Sequence, residues 1–72
     1  MKRAIATIPK GDSRLGTGQP TITLAREERY RRRIACTTDD GDAFLLDLAE
    51  ATYLPDNTGL LLDDGSAIIV RA

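Results

Sequence analysis

The sequence predicts a small all-β domain, and three observations support this class. Short runs of alternating apolar and polar residues recur along the chain, as in half-buried strands. Asp-Gly pairs at Asp40-Gly41 and Asp64-Gly65 separate such runs and indicate hairpin turns. No amphipathic stretch is long enough for an independent helix. We therefore expect one domain over residues 1–72, built as a six- to seven-stranded barrel or as two packed three-stranded sheets.

The amino-terminal part predicts two strands separated by a long loop. The first strand covers Lys2 to Ile8, where apolar residues alternate loosely and a proline follows. Residues 9–20 contain prolines and glycines without periodicity, which indicates a loop. Thr21 to Leu24 alternates again and forms the second strand, and Ala25 to Glu28 suits a single helical turn.

The third strand, Tyr30 to Thr37, has two predicted faces because side chains alternate along a strand. One face carries the residues expected in the core, which are Tyr30, Ile34 and Cys36. Arg31 and Arg33 share the opposite face, and Arg29 joins them if the strand extends back that far.

Four further segments complete the prediction. A type I′ turn at Asp40-Gly41, with positive φ at both residues, leads into a strand over Ala43 to Leu48. Thr52 to Leu54 forms a brief strand of its own. Gly59 to Asp63 and Ala67 to Arg71 then form a second hairpin.

Composition excludes most catalytic chemistry. The 72 residues contain no histidine and a single cysteine, so neither a Ser-His nor a Cys-His nucleophile pair is possible. Cys36 is expected to be buried and unreactive. The Asp-rich turns lack calcium-loop spacing, because Asp and Gly favour turns for backbone reasons alone. We expect no enzyme activity, no cofactor and no metal site.

The first apolar run after Met1 is too short for a signal peptide, and no run approaches membrane-spanning length. A lone cysteine also suits a reducing compartment. We therefore expect a cytoplasmic protein without a membrane partner.

Charge is distributed unevenly although the net charge is only −1. Residues 1–36 carry +6 and residues 37–72 carry −7. The basic residues concentrate between Arg26 and Arg33, around Tyr30. This stretch could bind single-stranded RNA, with the arginines on phosphates and the ring on a base. The favoured interpretation is a solvated strand edge whose cations discourage aggregation. Overall acidity argues against nucleic acid, and the RNA-binding barrel is kept as the alternative.

Several sequence segments, taken with their order and spacing, resemble those of one known family. The chain resembles the amino-terminal domain of the urease accessory nickel metallochaperone, the UreE family. The segments that carry the resemblance are Thr23-Leu24, Glu28-Arg29, Arg31-Arg32-Arg33-Ile34, Thr37-Thr38-Asp39-Asp40-Gly41, Phe44-Leu45-Leu46-Asp47-Leu48 and Gly59-Leu60-Leu61-Leu62-Asp63-Asp64-Gly65. Two positions depart from the family pattern, Arg32 and the segment Leu48-Ala49-Glu50-Ala51.

The resemblance implies an all-β unit of two three-stranded sheets, similar to the peptide-binding domain of J-protein co-chaperones. It implies that the nickel ligands and homodimer contacts belong to a second, ferredoxin-like domain and a histidine-rich tail. This chain would then be a fragment or truncated product without a nickel site. The implied partners are the urease apoprotein and other urease accessory proteins.

Together these observations predict a protein-interaction site on the third strand. We expect an extended partner segment to add to an open sheet edge there. Its carboxylates would pair with Arg29, Arg31 and Arg33.

Overall fold

Six strands and one 3₁₀ turn make up the fold in the computed structural model, which describes residues 1–16 and 18–71. The strands are β1 (Lys2–Ile8), β2 (Thr21–Thr23), β3 (Tyr30–Thr37), β4 (Ala43–Tyr53), β5 (Gly59–Leu62) and β6 (Ala67–Arg71), and the 3₁₀ turn is η1 (Arg26–Glu28). The predicted all-β class is confirmed.

All six strands join in a single sheet with the order β2-β6-β5-β1-β4-β3. β1 connects the two halves, since it pairs antiparallel with β5 on one side and parallel with β4 on the other. The expected two groups of three strands are thus continuous, and the sheet curls into a half barrel. β2 and β3 form its two edges.

The concave side of the sheet encloses the core. Phe44 and Leu46 of β4 are almost fully buried there, opposite Leu60 of β5 and Val70 of β6. Ile34 and Cys36 of β3 pack against this cluster while remaining partly exposed. Burial of such apolar side chains is the main stabilising contribution in a domain of this size.

Both hairpins have three-residue turns closed by glycine, so the type I′ prediction at Asp40-Gly41 is wrong. Thr38 N donates to Asp42 O at 2.8 Å, and Gly41 N donates to Thr38 O at 2.9 Å. Gly41 has a φ of 95°, whereas Asn57 is the one non-glycine residue with positive φ in the described part of the chain. This is a type I turn followed by a glycine bulge. A second turn built the same way closes on Gly65, whose φ is 88°.

β4 is longer than predicted, and this corrects the separate strand at Thr52–Leu54. Arg31 is opposite Thr52 and Arg33 is opposite Asp47, so β4 has extra residues between those two positions. The residues after Leu48 bulge outward, and the strand then resumes its pairing with β3 as far as Tyr53. A bulge bends a strand without ending it, which the sequence pattern does not distinguish from a break.

Part of the predicted loop at residues 9–20 covers β5. The Leu15 side chain lies against Gly59, where an added Cβ would come within 3.1 Å of Ile8 Cβ and collide with Leu15. Thr17, inside this loop, is outside the described residues. No helix within residues 1–16 and 18–71 is long and apolar enough to cross a bilayer.

Candidate functional site

A cleft of about 180 Å³ opens between the two edge strands. Its base is apolar and includes Ile22 of β2, Ile34 of β3 and Leu46 of β4. Polar and charged groups also line it, among them Glu28 of η1 and Arg31 of β3. The half barrel is therefore open along the line where β2 and β3 face each other.

The edge of β2 is blocked by Asp39 from the turn after β3. Asp39 N donates to Thr21 O at 2.9 Å, and Thr23 N donates to Asp39 Oδ1 at 3.1 Å. The hydroxyls of Thr21 and Thr23 donate to Asp39 Oδ2 at 2.6 and 3.0 Å. These bonds keep the pKa of Asp39 below its usual value, with the Thr21 hydroxyl as the largest cause. Asp39 thus occupies backbone groups that another strand would need for pairing.

The edge of β3 is open by contrast. Residues on an antiparallel strand alternate between those bonded to the partner and those whose N–H and C=O point away. Thr38 N is hydrogen-bonded to Asp42 O, so Thr38 belongs to a bonded pair. Counting back along β3 from Thr38, the residues whose N–H and C=O point away from β4 are Thr37, Ala35 and Arg33. No described residue hydrogen-bonds to these backbone groups from outside the sheet. An extended segment can therefore pair along this edge.

Arg31 and Arg33 have different neighbours, and their shared strand face stays a prediction. Arg31 lines the cleft and its charge acts on Cys36. Arg33 lies over the outer surface, with its Nε 3.9 Å from Asp47 Oδ1. A register shift lies between these two residues, because Arg31 is opposite Thr52 and Arg33 is opposite Asp47. Both guanidinium groups border the open edge.

Arg29 is outside the strand. It follows η1, its side chain is half-buried, and its Nε donates to Leu24 O at 3.4 Å. Its own carbonyl accepts a hydrogen bond from Leu54 N at 2.7 Å. Arg29 therefore ties together the ends of β2 and β4, close to the cleft, and is less free to meet a partner than Arg31. Within the described residues, the Arg31 side chain makes no ion pair or hydrogen bond.

Tyr30 lies on the surface, so its prediction as a core residue is wrong. It is 64% exposed and stands opposite Tyr53, which is 50% exposed. The pair lies at the far end of the β3–β4 pairing, beyond the β4 bulge. Alternation along the strand predicts the face on which Tyr30 lies, but it does not predict how far the core extends along that face.

Cys36 faces the cleft and is half-buried. Burial raises the pKa of its thiol, and the nearby Glu28 carboxylate raises it further. A thiol with a raised pKa is a poor nucleophile at neutral pH. In the part of the chain that the structure describes, no three His, Cys, Asp or Glu side chains come together as metal ligands would.

The fold and this edge define a small all-β domain with an open strand beside a cleft that has an apolar base. Comparison with known sequences identifies the family. Residues 3–72 match the family described as UreE urease accessory protein, N-terminal domain, and the chain belongs to that family. The family description names UreE as an accessory protein of urease.

Individual relatives agree with this assignment. A urease accessory protein UreE from Chelativorans sp. is 54% identical over 52 residues, covering 72% of this chain and 33% of the relative. The corresponding protein UreE 1 from Brucella suis is 40% identical over 72 residues, covering 100% of this chain and 44% of the relative. The chain thus spans less than half the length of these curated relatives.

Proposed function

We propose that this chain is the protein-interaction domain of a nickel chaperone for urease maturation. In this role it docks on the urease apoprotein or on other urease accessory proteins in the cytoplasm, where its unpaired Cys36 stays reduced. Membership of the UreE family supports the urease context. The observation that carries the interaction role is the open β3 edge with its flanking arginines.

The proposed mechanism is strand addition guided by charge. A partner segment pairs its backbone with β3, which gives affinity without depending on the partner's side chains. Arg31 and Arg33 pair with carboxylates of that segment, and such charge-assisted hydrogen bonds fix its register. Arg29 contributes from the end of the cleft, where its bond to Leu24 O holds it near the same segment.

This proposal assigns no nickel ligand and no cofactor to the chain. We propose that nickel coordination and homodimer contacts lie outside these 72 residues. The curated relatives are more than twice as long as this chain, which leaves room for them. The domain would act by bringing the metal-bearing part to the right partner. Its contribution to maturation is then greatest when nickel is limiting.

The test replaces Arg29, Arg31 and Arg33 together with serine. The variant should lose capture of the urease apoprotein and accessory proteins while its circular dichroism spectrum stays unchanged. A matched variant removes three cations far from the cleft, with serine at Lys2, Lys10 and Arg14, and should retain capture. Equal capture by both variants would reject the arginines as the docking residues.

One observation favours a second candidate function, single-stranded RNA binding through the stretch Arg26 to Arg33. Tyr30 and Tyr53 expose two aromatic rings side by side, close to several arginines. Exposed rings beside cations are what a base-stacking surface requires. This candidate requires binding of a single-stranded oligonucleotide that weakens steeply with salt and is lost when both tyrosines become serine. If no oligonucleotide binds at low salt, RNA binding is ruled out as a function of this stretch.

A further inference from the structure

The cleft beside β3 leaves apolar surface in contact with water. Leu24, Ile34 and Cys36 are only half-buried where they pack against the core, and all three line the cleft. Covering such surface stabilises a complex by about 25 cal/mol for each Å² removed from water. The cleft is therefore a place where an apolar group gains by binding.

The size of the cleft limits what can enter it. An apolar cavity of roughly 150 Å³ accepts one benzene molecule. The cleft, at about 180 Å³, therefore suits one branched aliphatic side chain. It is too small for a folded element of a partner.

The charges around the cleft indicate which residues should flank the aliphatic side chain in the partner segment. Its wall carries Arg31, whose guanidinium has no charged partner among the described residues. Arg33 borders the same edge and has only a long contact to Asp47. The opposite edge strand is closed by Asp39, so pairing is directed to β3. Glu28 also lines the cleft, but Arg31, Arg32 and Arg33 on β3 outnumber it, so the charge along this edge favours an acidic segment.

From these features we infer that the cleft is a socket for one aliphatic side chain of a short, extended, acidic partner segment. The backbone of that segment pairs with Arg33, Ala35 and Thr37. The inference rests on the proposed function and adds to it the chemistry of the partner: an apolar residue flanked by carboxylates. It also specifies the binding site, which is the β3 edge together with the cleft and not the arginine-rich surface in general.

The experiment uses a synthetic peptide in which Glu alternates with Val around a central Leu. Titrated into the isotopically labelled chain, it should shift the NMR signals of the cleft residues. It should also protect the amides of Arg33, Ala35 and Thr37 from hydrogen exchange. Replacing the central Leu by Ala should weaken binding by about ten-fold or more, because the loss of a buried aliphatic side chain costs roughly a factor of that size. Replacing every Glu by Lys should weaken binding at least as strongly.

A matched pair of protein variants tests the edge itself. Ala35→Pro removes an outward N–H from an edge strand, where proline is tolerated, and should abolish protection without unfolding the domain. Ala35→Ser keeps the N–H and should bind as the unmodified chain does. Circular dichroism and the retained core NMR signals show that both variants are folded. If Ala35→Pro does not fold, the peptide with Ala in place of the central Leu tests the inference, and equal binding of the two peptides would overturn it.

The outcomes separate this inference from the proposed function. Loss of urease-partner capture on the arginine substitutions, with capture unaffected by Ala35→Pro, would retain the docking role and overturn the strand and socket. No binding of the acidic peptide, or equal binding of its Lys counterpart, would also overturn the inference. So would a single-stranded oligonucleotide that shifts the cleft residues when the peptide does not.

Discussion

Asp39, in the turn after β3, holds Thr23 of β2 through two hydrogen bonds. Thr23 N donates to Asp39 Oδ1 at 3.1 Å, and Thr23 Oγ1 donates to Asp39 Oδ2 at 3.0 Å. β2 and β3 are the two edge strands of the sheet, so this contact links the two edges of the half barrel. It also leaves β3 as the edge that can accept another strand.

The Asp39 carboxylate should make the free energy of unfolding depend on pH. Its folded pKa is lower than the usual 3.8, chiefly because the Thr21 hydroxyl donates to the carboxylate. A lowered folded pKa contributes stability that is present above the unfolded pKa and is lost as pH falls through the folded pKa. We expect Asp39→Asn to lower the urea midpoint at pH 7, and the difference from the unmodified chain to shrink progressively below about pH 4.

The control for this prediction is Asp40→Asn in the same turn, since the Asp40 carboxylate makes no hydrogen bond to a described residue. Its urea midpoint should follow the unmodified chain at every pH. A pH-independent difference for Asp39→Asn would contradict the role given to the carboxylate charge.

The two glycine-closed turns should be sensitive to any side chain. Gly41 and Gly65 have φ values of 95° and 88°, where an L residue is strained although open space surrounds the added Cβ. Gly41→Ala should cost about 1–2 kcal/mol of unfolding free energy, because the left-handed region is unfavourable for a residue with a Cβ. Gly16→Ala also meets open space but without positive φ, and should change stability by less than about 0.5 kcal/mol. Chemical denaturation measures both, and equal effects would contradict the strain argument.

Neighbouring leucines of β4 should differ in their effect on stability. Leu46 is 1% exposed within the core, whereas Leu45 is only half-buried on the other face. Leu46→Ala should cost about 2–5 kcal/mol, since it removes buried methyl groups and leaves a cavity. That is a large part of the stability of so small a domain. Leu45→Ala should cost clearly less, and thermal denaturation of the two variants compares them directly; the reverse order would mean that the faces of β4 are assigned incorrectly.

Local pattern was enough to predict much of the fold. The alternation in Lys2–Ile8 and Tyr30–Thr37 predicted β1 and β3 with the observed bounds. The two Asp-Gly pairs correctly marked both hairpins, because glycine is needed wherever φ becomes positive. The turn type was missed since the same pair also suits a three-residue turn, and only the flanking register decides between them.

The site could be predicted only in part. The arginines were identified from their density in the sequence, but the bulge in β4 and the exposed pair of Tyr30 and Tyr53 were not. A bulge depends on the pairing of distant residues and leaves no local pattern. The role of Asp39 was also out of reach, because its partners Thr21 and Thr23 meet it only when the sheet curls.

The central claim is that the β3 edge and its arginines dock the urease machinery. The most direct measurement is the affinity of the chain for the urease apoprotein with its accessory proteins. It compares the unmodified chain with the variant carrying serine at Arg29, Arg31 and Arg33 and with the control variant carrying serine at Lys2, Lys10 and Arg14. The account predicts binding that is at least about ten-fold weaker for the first variant and nearly unchanged for the control, as charge-assisted contacts at one site require. Equal affinity for all three proteins would contradict it.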